Sequence, residues 1–275
     1  MEGRTRAPYP AGGGDPFLQG VNGVGLNGGP PTTSRLEDAL ALLDGESSGS
    51  SRLDGLEAVR EFVINSNGLP TDDRLKQRLF AIACKCASDQ NSRIAHKWLQ
   101  FIHELASQYG EDVVSSLQEL LPVCIKSLGS TSSSVRKASV QVLCACAKVR
   151  DHNPEVILRG ISHGLESADE RVRSEACAAL VTVYSSARYK NAVAEAVVLQ
   201  ELVVPIIVDR LTDPSKLVVG TAAQALGAVR QRAPDAFQVI LMQLPPDTQR
   251  LYTSVSGASA APPVAPPAAG PPAAG

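Results

Sequence analysis

The run Asp169-Glu170-Arg171-Val172-Arg173-Ser174-Glu175-Ala176-Cys177-Ala178-Ala179-Leu180-Val181-Thr182-Val183 decides the fold. Val172, Ala176, Ala179, Leu180 and Val183 stand at i, i+4, i+7, i+8 and i+11, one face of a helix. A polar turn, Ala168 to Glu170, precedes the run, and Asp169 is placed to cap it. No segment of any length between Arg35 and Tyr252 alternates with period two, so no strand is expected.

Three other stretches fall into register with this one: Arg93-Ile94-Ala95-His96-Lys97-Trp98, Ser134-Val135-Arg136-Lys137-Ala138-Ser139 and Leu217-Val218-Val219-Gly220-Thr221-Ala222. In each of the four an aliphatic anchor (Ile94, Val135, Val172, Val218) is followed eight positions later by another (Ile102, Leu143, Leu180, Leu226). The anchors are 41, 37 and 46 residues apart. That spacing matches HEAT or armadillo units of roughly 40–47 residues, each a pair of helices. Turns at Gly45–Ser51, Gly68–Thr71, Ser88–Ser92, Gly129–Ser133, Arg150–Asn153 and Asp213–Ser215 punctuate the rest with Gly, Pro, Asp, Asn and Ser. Arg52 to Asn65 reads as the second helix of an earlier, looser pair, and Pro234 to Tyr252 as a closing cap. The expectation is all-α: an α-solenoid of about five HEAT/armadillo-type helix pairs plus a cap, each pair burying its apolar face against its neighbours.

The ends read differently. Residues 1–34 are dominated by Gly and Pro, and residues 253–275 carry no charge and are mostly Ala, Pro and Gly. Neither composition offsets the entropy of ordering, so the folded domain is expected over 35–252 between two disordered tails. Gly23-Val24-Gly25-Leu26-Asn27-Gly28 matches a dinucleotide fingerprint, but that motif works between a strand and a helix. No strand precedes it and Pro30-Pro31 follows, so a nucleotide site is not expected.

The chain has 275 residues, with 26 Lys+Arg against 28 Asp+Glu and only 4% aromatic residues. Near-balanced charge argues against a dedicated nucleic-acid binder. No apolar run approaches the ~20 residues of a membrane span, and Met1-Glu2-Gly3-Arg4 leads into no apolar leader. A cytoplasmic protein without nucleic-acid, membrane or small-molecule partners is the expectation. No cofactor is expected either.

Nothing suggests catalysis. Cys84 and Cys86, like Cys144 and Cys146, are spaced i, i+2 on helices and point to opposite sides, so neither pair can chelate one ion. With Cys124 and Cys177 they read as small core thiols. His96 and His103 share a helix face without acidic partners, and His152 and His163 stand near expected helix starts. No nucleophile–base set or phosphate-binding loop is present, and a non-enzyme is expected.

The first turns of the second helices are more informative. Arg93, Arg136, Lys137, Arg171, Arg173 and Lys216 all lie at or just after a turn inside a repeat. In a solenoid these turns line up on one edge, where a row of cations would meet an acidic protein surface. The bland alternative is local pairing: Asp169 with Arg173 and Asp89 with Arg93 are both i, i+4, whereas Arg136 and Lys137 have no local acid. The turn Ser127 to Ser134 holds six Ser or Thr among eight residues, a solvated turn where phosphorylation would add negative charge beside Arg136.

The strings Ser134-Val135-Arg136-Lys137-Ala138 and Asp169-Glu170-Arg171-Val172-Arg173-Ser174-Glu175-Ala176 resemble HEAT repeats of TOG domains, especially those of the CLASP and crescerin families. Ser51-Arg52-Leu53-Asp54-Gly55-Leu56-Glu57-Ala58-Val59 is similar to a first-repeat helix of that group. The resemblance covers about Arg35 to Tyr252. It implies αβ-tubulin or microtubule binding through the edge of intra-repeat turns, with Arg93, Arg136, Lys137, Arg171 and Lys216 as contacts. It also implies a cytoskeletal setting, and crescerin a ciliary one. Many tubulin-binding TOG domains carry a Trp in the first intra-repeat turn. Here that turn, Gly45 to Ser50, has no aromatic residue, and the single Trp98 reads as core. The other reading of the same scaffold is a HEAT/armadillo adaptor that holds a peptide or helix along its inner helices.

Overall fold

The structure, a computed structural model, describes residues 33–45, 48–150 and 152–259. Every element among them is helical. α1 (Thr33–Asp44) pairs with α2 (Gly49–Asn65), and α3 (Asp73–Ala87) with α4 (Ser92–Gln108). A six-residue helix, α5 (Gly110–Ser115), then leads into the third pair, α6 (Leu117–Leu128) and α7 (Ser133–Ala147). α8 (Pro154–Gly164) pairs with α9 (Glu170–Ser186).

The fifth pair has a composite first member: α10 (Ala192–Val198), a π-helical turn at Leu199–Val203, α11 (Val204–Asp209) and a 3-10 turn at Arg210–Thr212. The π turn ends two residues before Pro205, which has no N–H to donate, so the ladder is already shifted where a bond would be missing. Its partner is α12 (Lys216–Arg232), and α13 (Pro234–Gln243) with α14 (Pro246–Ser259) closes the stack. The solenoid of five pairs and a cap is therefore as the spacing predicts.

The pairs form two layers. The first helices α1, α3, α6, α8 and the composite helix pack in succession, as do the second helices α2, α4, α7, α9 and α12. Side-chain caps fix where the helices begin. Asp72, Asn91, Asn153, Asp169 and Asn191 each accept a backbone N–H from the first turn of the helix that follows. Between the layers lies a continuous apolar core. Trp98, Leu99 and Ile102 of α4 are 0% exposed, and Trp98 meets Phe101 edge-on at 5.9 Å. Trp98 is core, as expected, and its indole N–H is buried without a partner.

The helices run a little beyond 35–252. α1 begins at Thr33, and α14 continues to Ser259 with Val255 against the core. Val255 extends the face set by Leu251 and Tyr252, and Tyr252 packs edge-on against Phe237 at 5.5 Å. Small residues alone do not stop a helix, and the first proline after it is Pro262. The glycine fingerprint at 23–28 lies outside the described residues, as do residues 46 and 47 of the first intra-repeat turn.

Candidate interaction edge

Four intra-repeat turns share one local design. Two positions before the helix cap, an Asp or Ser side chain turns back to accept the N–H of the cap residue. Asp89 takes Asn91 N at 2.8 Å, Ser130 takes Ser132 N at 3.2 Å, Ser167 takes Asp169 N at 3.2 Å and Asp213 takes Ser215 N at 2.9 Å. These turns are small because the chain reverses over a closed hydrogen-bonded ring. The Ser130 turn is tight enough to need Gly129: a Cβ there would meet Val172 Cγ2 at 2.7 Å.

Four residues after the cap stands an arginine in three of the second helices: Arg52, Arg136 and Arg173. Each reaches to the next repeat. Arg52 pairs with Asp89, Arg136 Nε donates to Glu175 Oε1 at 2.6 Å, and Arg173 donates to both carboxylate oxygens of Asp213 at 2.8 and 2.9 Å. Arg136 and Arg173 also bind their own turns through Nη1, to the carbonyls of Ser130 and Thr131 and of Ser167 and Ala168. Hydrogen bonding from Arg173, opposed by burial, holds the Asp213 carboxyl below its usual range. At the same position the second repeat has Ala95 and the fifth Val219, so this arginine ladder joins repeats one to two, three to four and four to five.

The ladder corrects the local pairing read from the sequence. Asp169 does not bind Arg173; its carboxylate caps α9 by accepting Arg171 N at 2.8 Å. Asp89 belongs to Arg52 rather than to Arg93. Arg136 does have an acid, Glu175, which lies 39 residues on. Arg136 is half-buried and bound through Nε and Nη1, unlike the other four cations assigned to the edge.

Those four form a second, outer set. Arg93, Lys137, Arg171 and Lys216 are exposed, and none has a side-chain hydrogen bond or ion pair among the described residues. They come from α4, α7, α9 and α12, whose consecutive packing brings their N-terminal turns onto one edge, one cation per repeat. The fourth turn is mixed in sign, since Asp169 and Glu170 are exposed beside Arg171. Sequence reasoning missed Leu217. It is 53% exposed and stands two residues after its cap, where α4 has Arg93 and α9 has Arg171. That shared position was the available signal. Thr131 and Ser134 are exposed on the same edge, and Ser132 Oγ lies 2.9 Å from Ser134 Oγ.

The remaining candidates lie apart from this edge. Cys84, Cys86, Cys124, Cys146 and Cys177 are buried and Cys144 half-buried, all as free thiols. Burial pushes Cys84, Cys146 and Cys177 up to about 12 and Cys86 to about 11, so they stay protonated. Among the described residues no group of three or more His, Cys, Asp or Glu could hold a metal ion, and no helix is long and apolar enough to cross a membrane. His163 lies in the last turn of α8 rather than near a helix start, because the turn after it begins only at Leu165.

Fold and edge together define a solenoid of HEAT-type helix pairs, with an arginine ladder across its turns and a row of free cations beside it. The family model described as CLASP N terminal matches residues 69–253, more than half of the chain, and the protein belongs to that family. No curated protein matches the sequence. Among solved structures, one of a study of microtubule plus-end tracking by XMAP215, CLIP-170 and EB1 is 15% identical, with TM-score 0.64 over 81% of this chain and 90% of the other. The MAST/Orbit N-terminal domain is 17% identical, with TM-score 0.64 over 80% and 96%. A structure from work on the crescerin TOG array, which regulates microtubules in the primary cilium, is 13% identical, with TM-score 0.59 over 82% and 90%.

Proposed function

We propose that the protein is a non-catalytic binding module that takes αβ-tubulin along its intra-repeat edge. The observation that carries this reading is the row of four exposed, unpaired cations, Arg93, Lys137, Arg171 and Lys216, set on turns that the arginine ladder holds rigid. Fixed cations facing an acidic surface speed encounter and set orientation. Leu217 adds an apolar contact at the end of the row. Membership of the CLASP N-terminal family and likeness in fold to domains studied in microtubule tracking support the same partner.

In this reading Arg136 positions the third turn and does not touch tubulin, since its guanidinium is already bound to Glu175 and two carbonyls. A ciliary setting is the finer reading, supported by the crescerin likeness in fold. The inner-helix groove between α7 and α9 is a poorer site. Val140, Gln141, Ala178 and Thr182 line it, Arg136 and Glu175 within it are paired to each other, and the free charge in its lining is Lys137, at the end nearest the intra-repeat turn. Size-exclusion co-elution with purified αβ-tubulin at low salt tests the proposal. A shifted complex is expected, and separate elution would return the protein to the adaptor reading.

A further inference from the structure

The opposite edge, formed by the connectors between repeats, carries its own cationic cleft. α5 is inserted between α4 and α6, and Gly110 lets its start approach the connector after α7: a Cβ on Gly110 would meet Val149 Cγ2 at 2.5 Å. The next connector along is tied to the same place, since Arg188 N donates to Ala147 O at 3.1 Å. Between these segments lies an open cleft of about 570 Å³, whose lining includes Tyr109, Gly110, Lys148, Val149, Arg150 and Arg188.

The cations of this cleft, like those of the intra-repeat edge, are unpaired. Among the described residues, Arg52, Arg60, Arg78, Arg136, Arg159, Arg173, Arg210, Arg232 and Arg250 lie within reach of a carboxylate. Lys148, Arg150 and Arg188 are exposed, line one cleft, and have no side-chain partner among the described residues. Of the two acids in the lining, Asp112 is bound by Lys76 at 2.8 Å and only Glu111 is left at the rim. The cleft is therefore a net cationic surface with an aromatic wall, the half-buried Tyr109.

We propose that this cleft binds an acidic peptide segment of a partner protein. The three cations come from two successive connectors, so they are spread along the edge rather than gathered around one point. That layout matches carboxylates at intervals along an extended chain better than one small anion, and Tyr109 offers apolar contact to the stems between them. The site is independent of the intra-repeat edge, on the other side of the helical layers. A chain so built can hold two partners, or two parts of one, at once.

The test is fluorescence anisotropy of the full chain with a labelled short poly-glutamate peptide at low salt. Binding is expected, and the K148S/R150S/R188S variant should weaken it at least about tenfold while melting like wild type. The connector substitutions made in an R93S/K137S/R171S/K216S background should weaken peptide binding by the same factor, which separates this site from the tubulin edge. No binding by wild type, equal binding by the triple connector variant, or no weakening by the connector substitutions in that background would overturn the proposal. So would a labelled single-stranded oligonucleotide that binds the same cleft more tightly than the peptide.

Discussion

Arg173 and Asp213 form a two-pronged ion pair across a repeat boundary, with side chains 13% and 2% exposed. The third nitrogen of the same guanidinium holds the carbonyls of Ser167 and Ala168, so one side chain fixes two turns at once. Removing one member of a pair this buried leaves the other uncompensated. Arg173→Ala should therefore cost about 3 kcal/mol, seen as a lower urea midpoint. Arg171→Ala, two residues earlier on an exposed and unpaired side chain, should change stability by less than about 0.5 kcal/mol. Equal effects of the two would contradict the division into ladder and free cations.

The same pair predicts an acid dependence. The Asp213 carboxyl is held below its usual range by hydrogen bonds from Arg173, against an opposing effect of burial. A carboxyl that is more acidic folded than unfolded adds stability above its unfolded pKa of about 4, and that stability is lost as pH falls through the folded value. Asp213→Asn should reduce the loss of stability below about pH 4 relative to wild type, at the expense of a less stable protein at neutral pH. Denaturant titrations across that range give the slope; an Asn variant with the wild-type slope would show that the pair does not titrate as described.

Gly129 is tight against Val172, with 2.7 Å from a built Cβ to Cγ2. Gly129→Ala should destabilise by about 1–3 kcal/mol through overpacking. Val172→Ala in the same chain should recover part of that loss, since it removes the clashing methyl groups. A double-mutant cycle with no coupling would place the strain elsewhere.

The thiols should differ in reactivity. Cys144 is half-buried, while the other five are buried and burial raises all six. Under native conditions one thiol, lost in Cys144→Ser, should react with a disulfide reagent well ahead of the rest, which should follow only on unfolding.

The solenoid was legible because its signals are local: the face of Val172, Ala176 and Leu180 repeats at a fixed phase, and Asp169 and Asn91 cap where a cap is needed. The pairing of the edge cations was not legible from local spacing. Asp169 and Arg173 sit at a favourable i, i+4 spacing, yet Asp169 is oriented by its cap bond, and stacking brings Asp213 to Arg173 from 40 residues away. Contacts at one repeat's distance exist only once the helices are stacked. A trace was present all the same: Arg52, Arg136 and Arg173 occupy one position of the repeat, and Ala95 and Val219 mark where the ladder lapses. The closing helix ran past its expected end because Val255 continues an apolar face through residues too small to stand out by composition.

In the proposed function four free cations on the intra-repeat edge hold tubulin while the paired arginines beside them hold the fold. The most direct test is titration of labelled αβ-tubulin with wild type and with R93S/K137S/R171S/K216S, after matching thermal melts. Wild type should form a complex that weakens as salt shortens the Debye length from about 10 Å at 0.1 M. The quadruple variant should bind at least about a hundredfold more weakly, with the melt unchanged. Wild-type affinity in that variant would contradict tubulin binding through these cations.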